Sequence, residues 1–259
     1  FGDKVTINGN DYVVMYSRFT CENTTNEEQS LPGVTSNLIP LNGAAKNATS
    51  AAAGETVVRD YCIGADRFGQ KYGFPSAEEL AAAGGFDEHY THMRNYWNTR
   101  LSGVVDIKKV PSGYEELINA YKAGYIYTLI TADGDGLHTG ENAYDKTFDH
   151  DSIGILAALV ELGHTDNFAA YASHILDNVD YDDARWKFPW PFALYLQKTG
   201  DKETVRAAFE EIKKNARAIE ADRTGRNGMM KQTVAIDSYG YWLVDNWSAL
   251  TGLASYAYI

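Results

Sequence analysis

The chain has 259 residues, of which 44% are hydrophobic, 13% aromatic and 22% charged. That apolar content can offset chain entropy and excludes a disordered chain; the longest purely apolar run, Ile153 to Val160, is too short to span a bilayer. A formal net charge of −12, from 35 Asp and Glu against 23 Lys and Arg, argues against a nucleic-acid groove.

The first 75 residues read as β structure. Lys4 to Ile7 and Tyr12 to Tyr16 flank Asn8-Gly9, a hairpin signal because both turn residues tolerate positive φ. Thr56 to Val58 and Tyr61 to Ile63 read as two further strands, and 42–55, small and polar, as a mobile surface loop. Cys21 and Cys62 allow one bridge if their strands are neighbours, or two free thiols. Sequons stand at Asn23, Asn47 and Asn246; the third lies in an aromatic segment, which leaves the first two as glycan sites.

Beyond residue 75 the apolar period changes from two to 3.6. Ser76 and Glu79 form a capping box. Phe86, Tyr90, Met93, Trp97 and Leu101 mark one helix face, and Leu117, Tyr121, Tyr125 and Leu129 mark the next. Further helices are predicted at 151–162, 166–178, 190–199, 202–222 and from about 240 to the end. Gly163 and Gly200, 37 residues apart, each end one helix just before another starts, a helix-pair repeat length. The predicted fold is mostly α: a β-rich region over 1–75, then antiparallel α-hairpins over 76–259.

Three segments offer chemistry. The first is Tyr144 to Asp151, where a carboxylate at a helix start can grip a ligand's hydroxyls or simply cap the helix. In the second, Trp186, Lys187 and Trp190 make either a saccharide subsite of indole faces beside a cation, or core. In the third, Asp237 to Trp247, a helix would pack through Leu243, Trp247, Leu250 and Ala254 and leave Asp245 on a small, polar face. Near Tyr241, Trp242 and Trp247, the Asp245 carboxyl would hold its proton and serve as a general acid; a helix cap is the other reading, for Asp245 as for Asp237.

Asp133 to Glu141 is short of calcium ligands, His89 and His92 have no third ligand nearby, and no phosphate loop or Gly-x-Ser-x-Gly elbow occurs. Neither a metal nor a cofactor is expected.

Over about residues 86–259 the chain resembles the six-hairpin glycosidases, a superfamily with glucoamylases, trehalases and α-rhamnosidases as members. The likeness rests on Gly140 to Ser152 running into Leu162-Gly163, on Trp186 to Pro191 with Thr199-Gly200-Asp201, and on Asp237 to Leu253. It implies an (α/α)6 barrel, often preceded by a β-sandwich, in a secreted, cell-surface or periplasmic glycoside hydrolase. By the resemblance Asp151 binds hydroxyls of the reacting sugar, with His150 where the superfamily has arginine, and Tyr144 lies beside them. Asp245 takes the place of the acid, one methylene shorter than the usual glutamate; Asp237 is the reserve, and Trp186, Lys187, Trp190 and Trp242 complete a carbohydrate site. A closed ring needs more helices than the roughly eight read here, so the barrel is expected to be completed by a second chain or a further C-terminal segment, and this chain alone to expose apolar faces. The chain opens on Phe1, which suggests a processed chain or a piece of a longer one. Other readings are a polysaccharide lyase, a noncatalytic glycan-binding module and a helical-repeat scaffold for protein partners.

Overall fold

A computed structural model describes residues 13–34, 37–41, 43, 45–65 and 76–259. The expected strand at Lys4 to Ile7 and the Asn8-Gly9 turn lie outside them. Two compact units divide the chain, Phe1–Arg100 and Leu101–Ile259. About 52% helix makes the protein mostly α. Among the described residues no helix is long and apolar enough to cross a membrane.

In the first unit β1 (Val13–Glu22) pairs antiparallel with β5 (Thr56–Ala65), whose other edge carries β3 (Ile39–Pro40). The two strands expected at 56–58 and 61–63 are this single β5. Cys21 and Cys62 do lie on neighbouring strands, but Cys21 faces Val57 and Cys62 faces Tyr16. Five residues of register, about 17 Å, therefore separate them, and both thiols are free. Helix α1 (Ala77–Ala82) starts on the capping box, with Ser76 N donating to Glu79 Oε2 at 2.8 Å. Leu80 of α1 packs with Leu41 and Cys62, and Phe86, at the start of α2 (Phe86–Ser102), lies against the same cluster. The unit boundary thus falls inside α2 instead of at residue 75.

The segment read as a mobile loop is partly built in. β4 (Ser50–Ala51) pairs with β2 (Gln29–Ser30), and Ala51 is buried. Asn23 explains this. Its side-chain nitrogen lies 2.8–2.9 Å from the carbonyls of Glu27, Ala51 and Ala52, and its oxygen accepts from Thr25. The buried Asn23 amide is therefore a structural clasp, and the reading of it as a glycan site is corrected; Asn47 is the exposed sequon. Replacing Asn23 with Ala strands buried carbonyls and is expected to cost about 2 kcal/mol in chemical denaturation.

The second unit contains α3 (Glu116–Thr131), α4 (Asp149–Glu161), α5 (Phe168–Asp177), α6 (Asp182–Lys187), α7 (Pro189–Thr199), α8 (Lys202–Ala207), α9 (Phe209–Asp222) and α10 (Leu243–Tyr258). Gly163 (φ +90°) and Gly200 (φ +71°) adopt the left-handed conformation that ends α4 and α7, as their sequence context predicts. Pro189, without an N–H, separates α6 from α7 at Phe188, and Ala208 divides the expected 202–222 helix.

Contacts fix the helix directions. The start of α4 meets the start of α6, because Asp149 Oδ2 accepts from the backbone N–H groups of Asp180 (2.6 Å) and Tyr181 (3.0 Å). The end of α5 returns to the start of α4, with Thr147 Oγ1 and His174 Nε2 2.9 Å apart. Phe209 at the start of α9 stacks on Tyr256 near the end of α10, while Asp222 at the end of α9 accepts from Trp186 Nε1 at 3.0 Å. Helix α5 therefore runs back against α4, and α9 against α10. Their common core contains Tyr125, Ile153, Leu156, Leu159, Phe168 and Ile212.

Helix α10 packs with the opposite face to the one expected. Trp247 and Leu250 are 61% and 66% exposed and Leu243 is exposed too, whereas Asp245, Ser248, Ala249, Gly252 and Ser255 are buried. Small residues let two backbones approach closely: Gly252 lies directly against the carbonyl group of Trp186. Closeness of approach, not hydropathy, chose the buried face.

Candidate functional site

The adjoining starts of α4 and α6, together with the start of α10, form the site. At its centre the His150 ring stacks on Tyr181, with centroids 4.1 Å apart and planes 25° from parallel. His150 Nδ1 lies 3.3 Å from Asp183 Oδ1, and Nε2 lies 3.5 Å from Asp151 Oδ2. The second Asp183 oxygen accepts from Lys187 Nζ at 2.9 Å, one α-helical turn on. Asp183 is thus a buried carboxylate with a basic side chain on each oxygen. Burial opposes its charge, but His150 and Lys187 outweigh burial and hold its carboxyl below the ordinary range. The hydrogen bond to Asp183 is also the main cause that raises the His150 pKa.

The loop before α10 brings the remaining groups. Thr233 and Gly240 exchange backbone hydrogen bonds of 3.0 and 2.9 Å, closing a hairpin that presents Asp237 at φ +61° to solvent. The Trp242 indole N–H donates to the carbonyls of Thr233 and Ser238, with its ring against Gly240; a β-carbon there would lie 2.8 Å from the ring. Thr233 Oγ1 donates to Asp245 Oδ2 at 2.7 Å and ties the hairpin to α10. Burial raises the Tyr181 hydroxyl pKa, with the charges of Asp149, Asp237, Asp180 and Asp151 adding to the rise. From Asp151 an open groove of about 400 Å³ runs along α4 past Gly154, Ile155, Ala158 and Leu162, with Thr128 and Thr139 on its other side.

Several expected site residues take other roles. Trp186 is 0% exposed and anchored to Asp222, so its faces cannot stack on a sugar. Trp190 packs against the main core, and Lys187 is engaged by Asp183. Tyr144 is exposed, 5.9 Å from the Phe148 ring. Neither Asp151 nor Asp245 caps its own helix through its side chain. Asp245 is 1% exposed and accepts from Thr233, and among the described residues its Oδ1 has no hydrogen-bond partner. His150 and Asp151 lie together beside Tyr181, and Asp237 stands exposed on the hairpin ahead of α10. Tyr181, Asp183 and Thr233 were not anticipated; the acidic run Asp180-Tyr-Asp-Asp183 before an aromatic helix was the sequence signal for the first two, and Asp149, expected at most as a helix cap, instead accepts from the backbone of Asp180 and Tyr181.

Burial raises the Asp245 pKa against the lowering effect of Thr233, with the Asp183 and Asp182 charges adding to the rise. The unfolded chain ionises this group near the ordinary value of about 3.9. Stability is therefore lost as pH climbs from there towards the raised folded value. Asn keeps an acceptor for Thr233 and removes the titration. Asp245→Asn is expected to be more stable than wild type at pH 7 and to flatten this pH dependence in chemical denaturation.

Among the described residues no group of three or more His, Cys, Asp or Glu is placed to hold a metal ion. Asp133 and Gly136 exchange two 2.9 Å backbone hydrogen bonds, making the acidic Asp133 to Gly136 stretch a tight turn. No protein-family model matches the sequence, and comparison with curated proteins and with solved structures gave no match.

Proposed function

We propose that the helical unit is the saccharide site of a glycoside hydrolase of six-hairpin type, exported from the cell, with Asp237 as proton donor and Asp151 gripping sugar hydroxyls. The observation that carries this reading is the meeting of the starts of α4 and α6, which sets the solvent-facing Asp151 carboxylate beside the Tyr181–His150 stack. Glycoside hydrolysis needs a carboxyl group to protonate the leaving oxygen and fixed groups to orient the ring. Asp237 replaces Asp245 as the leading acid because it faces solvent, whereas Asp245 is closed in beneath the hairpin. Tyr181, Tyr144 and Trp242 supply aromatic surface near the same helix ends.

In this reading α4, α6 and α10 belong to one layer of a hairpin ring and α5 and α9 to the other. The bare stripe Leu243, Trp247 and Leu250 is the face on which a further helix pair, from another segment or a second chain, would close it and supply the water-activating carboxylate.

A lyase acting on a uronate would use a His/Tyr pair, which His150 and Tyr181 provide. Against it, Asp149, Asp151, Asp180 and Asp237 around that pair would repel an anionic sugar. Neutral oligosaccharides given to the full-length protein are expected to release reducing ends. Product absorbing in the ultraviolet would mean the lyase, and binding with no turnover would mean a glycan-binding module.

A further inference from the structure

We propose that His150 is a titratable positioning residue, which fixes the Asp151 carboxylate only while its imidazole is a cation. The proposal rests on the reading of Asp151 as the hydroxyl grip. The ring has almost no freedom: it is stacked on Tyr181 at 4.1 Å, and Nδ1 is held by Asp183. Asp183 cannot turn away, because Lys187 holds its other oxygen. The proton on Nδ1 is therefore the one retained, and deprotonation occurs at Nε2. That nitrogen faces Asp151 Oδ2 at 3.5 Å. With the proton present, the two attract. Without it, a lone pair faces a carboxylate oxygen, and Asp151 is pushed off its position.

The groups facing the ring are Asp183 and Lys187 from α6, Tyr181 ahead of α6, and Asp151 on its own helix. Asp183 is the largest influence and favours the cation; burial and Lys187 oppose it, and Asp151 adds to the favourable side. The cation therefore persists to higher pH than in an ordinary histidine, and the grip is lost on the alkaline side.

The test follows the His150 ring and the Asp151 carboxyl carbon by NMR across pH, alongside the affinity for a neutral oligosaccharide. Asp151 is expected to shift at the same midpoint as the His150 ring, and affinity to fall about tenfold there, the loss of one charge-assisted hydrogen bond. His150→Arg, a cation that does not titrate, should abolish both inflections; Asp183→Asn should move both to lower pH and guards against misfolding of the arginine variant. An Asp151 signal that ignores the His150 midpoint, or an alkaline fall that persists in His150→Arg, overturns the proposal. Asp151 following His150 in a protein that binds no saccharide would leave the clamp standing and remove the glycosidase reading.

Discussion

Gly252→Ala is expected to destabilise the helical unit by about 3 kcal/mol or more, the upper end of what overpacking costs. A β-carbon at 252 would overlap the carbonyl oxygen of Trp186 and lie 2.9 Å from its carbonyl carbon. The obstacle is backbone, so no rotamer change relieves it. Either α10 moves out, losing the burial of Ser248, Ala249 and Ser255, or α6 shifts and pulls the Trp186 indole off Asp222. Either movement also disturbs Asp183, three residues from Trp186. Leu250→Ala, on the outward side of the same helix, is expected to change the stability of the chain alone by less than about 0.5 kcal/mol. Urea denaturation of the two variants checks both values. Equal effects would mean that α10 is not seated on α6 through its small face.

Asp237→Asn is expected to lower turnover of unactivated oligosaccharides by about a hundred- to ten-thousand-fold, the usual worth of a general acid. Its backbone at φ +61° is in the left-handed region, where Asn is at ease. The substitution therefore leaves the hairpin and the overall stability unchanged and removes only the carboxyl group. Asp237→Ala adds backbone strain, so a stability loss in Ala and none in Asn separates chemistry from folding. Aryl glycosides, whose leaving groups need less protonation, should lose far less with Asp237→Asn. An equal loss on both substrates would indicate a binding role. Asp245→Asn should keep most turnover, because the wild-type carboxyl is closed off by Thr233 and α10.

What was legible in the sequence was local. Ser76 with Glu79, and Gly163 and Gly200 at helix ends, satisfy backbone groups a few residues away, so their spacing alone identifies them. The succession of helices followed from the apolar period. Helix α6 escaped because six residues ahead of Pro189 hold less than two turns of pattern. The packing face of α10 was misjudged because periodicity ranks faces by hydropathy, whereas Gly252 and Ser248 are buried for their size. His150, Asp151 and Asp237 were legible as candidates; the partner that holds His150 was not. Asp183 lies 33 residues from His150, and such a pairing leaves no mark in local spacing. Trp186 misled for the converse reason: an indole suits a sugar platform and a core equally, and only burial separates the two.

The most direct measurement of whether the joined helix starts form a saccharide site is amide and indole chemical-shift mapping of the labelled protein during titration with neutral oligosaccharides. Perturbations confined to residues 149–151, 180–187 and 233–242, including the Trp242 indole N–H and excluding that of Trp186, are the predicted result. Saturable shifts elsewhere with these segments unmoved would contradict it.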